Sequence, residues 1–259
     1  MGRKQRWWGL VPPLRDTRPV ADGPGWSVHI RAPEHAETLE RDRGGAWEEA
    51  NRLSAVLQVL MSGRAVWIGG DAPLRTWSEL PPNELKADFF RLPHHGGALD
   101  DGGVPPGWTV DRLYDEVQPH AAIISVGTRN PHGHPNPEWI APVMHDRCRL
   151  LCTQATERCQ PGLKNDATTF RDAVMSDYSD HLAEPPWRHY KDVLNRTGAG
   201  RTPEVSCAGT VVVHLPRAQN VEPRVLPTRA AHQRIIDVWK TPLCRPQPDG
   251  SDATSEPTS

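Results

Sequence analysis

Hydrophobic and polar residues alternate with a period of two over Trp26–Ala32, which predicts a half-buried strand. Two apolar runs, residues 53–60 and 65–68, flank Ser62 and Gly63 and predict a hairpin with a tight turn that glycine permits. From residue 69 onward, short apolar runs typical of strands alternate with segments typical of helices. The pattern therefore predicts an α/β or α+β fold, with helices packed on a sheet.

The remaining elements and the domain organisation follow from the same pattern. Helices are predicted at residues 74–80, 83–86, 110–117, 137–145, 172–178, 189–194 and 229–240, and strands at 88–92, 121–126, 149–153, 209–215 and 221–226. One domain is expected over residues 26–244, after an irregular lead-in at 1–25 and with a loop-rich insert at about 154–205 that carries four prolines. Residues 245–259 contain almost no apolar side chains, so we expect them to be disordered.

Composition narrows the class of protein. The 30 basic and 32 acidic residues give a net charge of −2, which excludes a strongly basic nucleic-acid clamp. No apolar run approaches the ~18 residues that span a bilayer, and the N-terminal sequence lacks the apolar core of a signal peptide. Five cysteines are sparse for 259 residues, which is typical of a reducing compartment. We therefore expect a cytoplasmic protein without a membrane partner.

Candidate functional residues follow three predicted apolar strands, in polar segments that are flanked by glycine. The first strand leads to Asp71, the second to His94 and His95, and the third to a loop that contains His132 and His134. Strand ends in one sheet face a common crevice, so these side chains are expected to converge. A carboxylate with several imidazoles is the ligand chemistry of zinc, manganese or iron. Each segment taken alone also fits a solvated turn, and the ordered combination is what favours a metal site.

Five segments together resemble a known family: residues 51–57, 69–71, 87–96, 119–127 and 130–135. In order and spacing they resemble the second half of metallo-β-lactamase-fold hydrolases, and above all the hydrolase domain of ComEC-type competence proteins and its soluble relatives. The resemblance covers roughly residues 26–155, and residues 209–213 resemble the closing strand of that family.

The resemblance implies an αββα sandwich and a dinuclear zinc, or manganese, site that hydrolyses phosphodiesters of nucleic acid. Asp71 would bridge the metals, with His94, His95 and His134 at or beside them. His95 is favoured slightly over His94 and would join Asp71 as a catalytic residue. Asn130 and His132, the latter at a place that is often aromatic in the family, would lie on the substrate side.

The chain lacks one motif of this family, which would precede Asp71. The His-x-His-x-Asp-His or His-x-Asp-x-Asp-His run that supplies most ligands of the first metal is absent from residues 1–70. The chain therefore resembles the C-terminal half of the fold, incomplete at its N-terminal half. Three hypotheses follow: a truncated reading of a longer enzyme, a split enzyme completed by a partner or a second copy, or a pseudoenzyme that serves as a non-catalytic interaction subunit.

The cysteines carry a separate hypothesis. Cys152 or Cys159, together with Cys207, would form a structural zinc site or, under oxidation, a disulfide. The spacing Cys-x3-Cys-x6-Cys from Cys148 is not the Cys-x2-Cys pattern of zinc modules, and we favour buried free thiols. The histidines outside residues 94–145, among them His232, are interpreted as structural or solvent-exposed.

Overall fold

Seven strands form one mixed sheet in the computed structural model, and they are neighbours in the order in which they occur along the chain. The structure describes residues 18–33, 51, 54–98, 103–141, 148–163, 205 and 207–244. The strands are β1 (Ala21–Gly23), β2 (Trp26–Ala32), β3 (Val56–Met61), β4 (Arg64–Ile68), β5 (Phe89–Arg91), β6 (Ala121–Ile124) and β7 (Arg149–Cys152). β1 to β4 pair antiparallel, whereas β4 to β7 pair parallel.

The type of connection explains this change from antiparallel to parallel pairing. β3 and β4 are joined by Ser62 and Gly63, both with positive φ (50° and 80°), as in the two-residue turns that match the twist of a hairpin. Parallel neighbours need a crossover instead. The crossovers after β4, β5 and β6 carry helices α1 (Leu74–Ser78) and α2 (Pro82–Leu85), α3 (Val110–Val117), and α4 (Pro137–Ile140), respectively.

The helices cover one face of the sheet through a chain of aromatic rings. Trp67 of β4 contacts Trp77 of α1, which contacts Phe90 of β5, with ring centroids 5.6 and 5.2 Å apart. Phe90 then contacts Tyr114 of α3, and Tyr114 contacts Trp139 of α4, at 6.0 and 6.2 Å. Each edge-to-face pair contributes about 0.5–1.5 kcal/mol beyond its buried area. The helix α5 (Arg229–Val238) adds its buried residues to the same core.

The opposite face of the sheet is apolar as well. Val66, Phe89, Ile123 and Leu151 alternate with the residues that face the helices and form a second buried cluster. A two-stranded ribbon, β8 (Val212–His214) and β9 (Arg224–Leu226), contributes partly buried valines to this cluster. Two covered faces explain why β6 is a continuous apolar run and why β5 and β7 are apolar apart from Arg91 and Arg149. The architecture is a mixed α/β fold.

Several predicted elements are confirmed, with shifts at their ends. Trp26–Ala32 and Val110–Val117 form as predicted, and β3 pairs with β4 across the predicted turn. The third strand is shifted to Val56–Met61, and the strand predicted to reach residue 126 ends at Ile124.

One strand forms at residues without a periodic pattern, and some predictions fall outside the described residues. β1, at 21–23, falls within the predicted irregular lead-in, because it is held by backbone pairing with β2 and not by buried side chains. Four predicted segments lie outside the described residues: the helices at 172–178 and 189–194, most of the insert, residues 142–145 of the helix at 137–145, and the tail at 245–259.

Candidate metal centre

The carboxyl ends of β4, β5 and β6 lie side by side, because these strands are parallel neighbours in which Ile68 pairs with Arg91 and Arg91 pairs with Ile123. The segment that follows each strand therefore starts at the same edge of the sheet. Asp71 follows β4, His94 and His95 follow β5, and His134 lies in the loop after β6. The fold thus brings the three predicted segments to one edge.

Close backbone contact holds the Asp71 loop against the turn of His94. The Gly70 carbonyl oxygen accepts a hydrogen bond of 2.9 Å from the His94 backbone N–H. Gly70 has φ +54°, and a Cβ atom there would lie 2.8 Å from the Ala55 carbonyl oxygen. A side chain at this position would push the loop away, so glycine is needed immediately before Asp71.

His94 and His95 adopt the left-handed backbone conformation, with φ 48° and 54°. Each such residue that is not glycine costs on the order of 1–3 kcal/mol, and strain of this kind concentrates at functional sites. Here the two strained positions are two of the predicted metal ligands. The His94 ring is held by its Nδ1, which lies 3.0 Å from the Ala98 carbonyl oxygen.

The imidazole of His95 faces the carboxylate of Asp71. His95 Nδ1 lies 2.5 Å from the Ser125 carbonyl oxygen, which only accepts, so Nδ1 carries the proton and donates it. The neutral ring then has a lone pair on Nε2, which lies 3.7 Å from Asp71 Oδ1. Two acceptors that face each other in this way offer a nitrogen and an oxygen ligand to a metal ion. Each side chain keeps 43% of its surface exposed, so solvent and ions have access.

His134 is placed by a small network within its loop. The Asn130 side chain donates to the His134 carbonyl oxygen at 2.6 Å and accepts from the His134 backbone N–H at 3.1 Å. The His134 ring lies 5.5 Å from the ring of His94 and is stacked at 5.5 Å on the ring of His132. Three imidazoles thus lie next to one another at the sheet edge.

His134 carries a buried nitrogen without a partner in the described part of the chain. Its Nδ1 forms no hydrogen bond with any described residue, although buried polar atoms are rarely left without one. Burial lowers the pKa of His134, and the neighbouring His94 and His132 lower it further. A lowered pKa keeps the ring neutral near neutral pH, which is the form that binds metals.

Arg91 places a positive charge beside this group. Its guanidinium donates to the Gly70 carbonyl oxygen at 3.2 Å. Burial lowers the pKa of Arg91, while the charge of Asp71 raises it. The guanidinium therefore offsets part of the negative charge of the Asp71 carboxylate.

The structure brings together some of the predicted site residues more closely than others. Asp71 and His95 face each other, and His94, His132 and His134 form a neighbouring group of rings. His132 is exposed to solvent. Both polar groups of the Asn130 side chain form hydrogen bonds with the backbone of His134. Metal binding by Asp71, His94, His95 and His134, catalysis by Asp71 and His95, and substrate binding by Asn130 and His132 stay predictions.

A tighter group of metal-ligating side chains lies elsewhere. Across the part of the chain that the structure describes, Cys207, His232 and Cys244 are the one group of three whose ligand atoms all lie within 4.8 Å of one another. Of the cysteines in the sequence hypothesis, Cys207 belongs to this group and Cys152 contacts it through a side-chain hydrogen bond with Cys244. Cys159 is outside it, with its sulfur 3.8 Å from the Thr156 hydroxyl.

Sequence reasoning did not select His232 or Cys244 as ligands. His232 is 2% exposed and buried on the core side of α5, with Ile235 and Ile236 three and four residues later. The spacing of His232 is the signal that could have revealed it, because three and four residues separate it from apolar residues that share one face of an amphipathic helix. Cys244 follows α5 by several residues, so no local motif connects it with Cys207.

Comparisons with known proteins give limited similarity. No protein-family model matches the chain, and no solved structure matches it. The chain is 27% identical over 155 residues to ComE operon protein 3 of Bacillus subtilis (strain 168). The aligned segment covers 59% of this chain and 18% of that protein, so the chain spans less than a fifth of its relative's length. Within the described ranges, no helix is both long and apolar enough to cross a bilayer.

Proposed function

We propose that this chain is a metal-dependent hydrolase-like protein of the metallo-β-lactamase superfamily, directed at phosphodiesters of nucleic acid. Asp71, His95 and His134 would hold a zinc or manganese ion at the edge of an incomplete αββα sandwich. The ligands of a dinuclear site that these residues do not provide would come from a partner chain, a second copy, or a further part of a longer protein.

The observation that carries the proposal is the contact between His95 and Asp71. The Ser125 carbonyl oxygen accepts a hydrogen bond from His95 Nδ1, so the Nε2 lone pair of His95 faces a carboxylate oxygen of Asp71 at 3.7 Å. Histidines that bind metals commonly donate their other ring N–H to a backbone carbonyl in this way. The unsatisfied Nδ1 of His134 adds a second nitrogen in the same region. The similarity to ComE operon protein 3 supports the same assignment.

The residues of the chain have separate tasks in this proposal. A bound zinc or manganese ion would supply Lewis acidity and a bound water with a pKa of roughly 7. Asp71 offers a carboxylate oxygen as ligand, and Ser125 fixes the ring of His95 in one orientation. Arg91 provides a cation beside Asp71, and the exposed Arg129 adds another in the loop before His134. Both charges would attract the phosphate of a substrate.

Calorimetric titration with Mn²⁺ tests the metal site, because manganese prefers nitrogen and oxygen ligands to thiolates. Asp71→Asn preserves the shape of the side chain and removes its charge, and we expect it to abolish Mn²⁺ binding. Asp115→Asn is the matched control, because Asp115 is exposed on α3 and outside the site. If Asp71→Asn binds Mn²⁺ as tightly as Asp115→Asn, the proposal is wrong.

Hydrolysis of bis(p-nitrophenyl) phosphate by the Mn²⁺-loaded protein then tests catalysis. Turnover that Asp71→Asn loses and Asp115→Asn keeps would support a site completed by self-association. Binding of Mn²⁺ without turnover would support a split or inactive site that needs a partner.

A second candidate function is a non-catalytic interaction subunit. Three valines are the exposed large hydrophobic residues in the described part of the chain. The exposed fraction is 47% for Val20, 37% for Val212 and 41% for Val221. Val20 precedes β1, which forms the edge of the seven-stranded sheet in the described part of the chain. An exposed strand edge is a template for pairing with another chain. Light scattering coupled to gel filtration distinguishes the candidates, because a monomer that hydrolyses phosphodiesters contradicts this second one.

A further inference from the structure

Four buried side chains with soft metal-ligating atoms meet between the end of β7 and the region of α5. Cys152 is the last residue of β7, His232 lies on α5, and Cys207 and Cys244 lie in the segments before β8 and after α5. Their exposed fractions are 0%, 2%, 1% and 7%, respectively. We propose that they hold one zinc ion as a structural Cys₃His site, separate from the candidate centre at Asp71.

Backbone pairing fixes two of the cysteines next to each other. The Ala208 N–H donates to the Cys152 carbonyl oxygen at 2.8 Å, and the Cys207 N–H donates to the Thr153 carbonyl oxygen at 3.2 Å. The segment after α5 is attached to the segment after β7, because the Thr241 N–H donates to the Cys159 carbonyl oxygen at 3.0 Å. Cys244 therefore follows a segment that is already attached to this side of the fold.

The distances are close to those of a tetrahedral site. With zinc–sulfur bonds of about 2.3 Å and zinc–nitrogen bonds of about 2.0 Å, tetrahedral geometry separates sulfur from nitrogen by roughly 3.6 Å and two sulfurs by roughly 3.8 Å. The sulfur of Cys207 lies 3.4 Å from His232 Nε2. The ligand atoms of Cys207, His232 and Cys244 all lie within 4.8 Å of one another. Cys152 is hydrogen-bonded with Cys244 but is not in this group of three, so its side chain would have to move closer to complete the site.

Hydrogen bonds within the cluster connect its members. The side chain of Cys244 is hydrogen-bonded with those of Cys152 and Cys207, and with that of His232. Zinc binds cysteine as the thiolate, and the cation would compensate a charge that is otherwise costly in this buried position.

Ligand type and burial identify the metal and its role. Thiolates with one imidazole are soft ligands that select zinc over magnesium, calcium or manganese. Four protein ligands leave no open position for water or substrate, as is typical of structural zinc. Such an ion would attach α5 and the segment after it to β7. Cys159 keeps its own contact with Thr156 and is not needed as a ligand.

Metal analysis of the purified full chain tests the proposal. We expect about one zinc ion per chain that withstands dialysis and is released when a mercurial reagent blocks the thiols. After exchange with cobalt, the protein should show the thiolate-to-cobalt charge-transfer band. Absence of that band in the wild-type protein, or a disulfide between Cys207 and Cys244 in freshly purified reduced protein, would overturn the proposal.

Variants assign the ligands and separate this site from the Asp71 site. Cys207→Ser and His232→Ala should lose most of the zinc, whereas His232→Cys, which supplies a fourth thiolate, should retain it. Cys148→Ser is the matched control, because Cys148 lies outside the cluster and should keep its zinc. Asp71→Asn should abolish Mn²⁺ binding without changing the cobalt band, so the two sites can fail independently. Zinc that is lost with Asp71→Asn and kept with Cys207→Ser would contradict the assignment.

Discussion

Gly97 touches the ring of His134, so the substitution Gly97→Ala tests whether the position of that ring matters for metal binding. Gly97 has φ −77° and ψ 175°, a conformation that alanine adopts without strain. A Cβ atom there would lie 2.5 Å from His134 Cε1 and 2.8 Å from the His94 carbonyl oxygen. Ordinary contacts begin near 3.4 Å. The ring of His134 must therefore move by about 0.9 Å, the difference between the 3.4 and 2.5 Å contacts, and the backbone at His94 must shift as well.

This displacement sets the expected size of the effect. Overpacking a well-packed site costs typically about 1–3 kcal/mol of unfolding free energy, and Gly→Ala recovers about 0.4–1 kcal/mol by restricting the unfolded chain. The folded protein should thus lose at most about 3 kcal/mol. Disturbing the residues that support metal ligands costs about 10- to 100-fold in metal affinity, and we expect Gly97→Ala to weaken Mn²⁺ binding by that factor.

The assay is calorimetric titration with Mn²⁺, combined with urea unfolding to show that the variant is folded. Gly127→Ala is the matched control, because its Cβ atom would have no neighbour among the described residues closer than 3.8 Å. It should bind Mn²⁺ like the wild-type protein. Equal affinities for folded Gly97→Ala and Gly127→Ala would refute the assignment of His134 to the metal site.

Three further predictions concern stability and reactivity. Asp88→Ala should lower the free energy of urea unfolding by about 1–3 kcal/mol. The Asp88 carboxylate accepts hydrogen bonds from the Ala65 N–H at 2.8 Å and from Arg64 at 3.1 Å, and both would be lost. A change below the error of the measurement would contradict this prediction. Tyr114→Phe should cost about 1 kcal/mol, because the buried hydroxyl donates to the Trp139 carbonyl oxygen at 3.1 Å, and an unchanged urea midpoint would count against that bond. Burial raises the pKa of Cys148 to about 12. At pH 8, iodoacetamide should therefore modify this thiol far more slowly in the native protein than in urea, as measured by peptide mass spectrometry. Equal rates in the two states would contradict this prediction.

Local patterns predicted the elements whose signal lies in a few consecutive residues. The alternation over Trp26–Ala32, the turn at Gly63 and the amphipathic segment Val110–Val117 all formed as expected. β1 escaped prediction because its three residues are mostly exposed and carry no hydrophobic pattern. Its position depends on hydrogen bonds with β2, which no local signal encodes.

The two candidate sites differ in how far the sequence revealed them. Asp71, His95 and His134 each follow a strand, and parallel strands bring such residues to one edge, so their proximity was predictable. His232 and Cys244 gave no comparable signal, because they approach Cys207 only when α5 packs against the sheet.

The sequence by itself determined the types of element, their order, and which residues could ligate a metal, because side-chain period and turn chemistry act between near neighbours. The tertiary structure alone decided which nitrogen of His95 faces Asp71 and which side chains surround Cys207. Those features depend on packing between segments that are distant along the chain, where small rotations of a helix or a ring change which atoms meet.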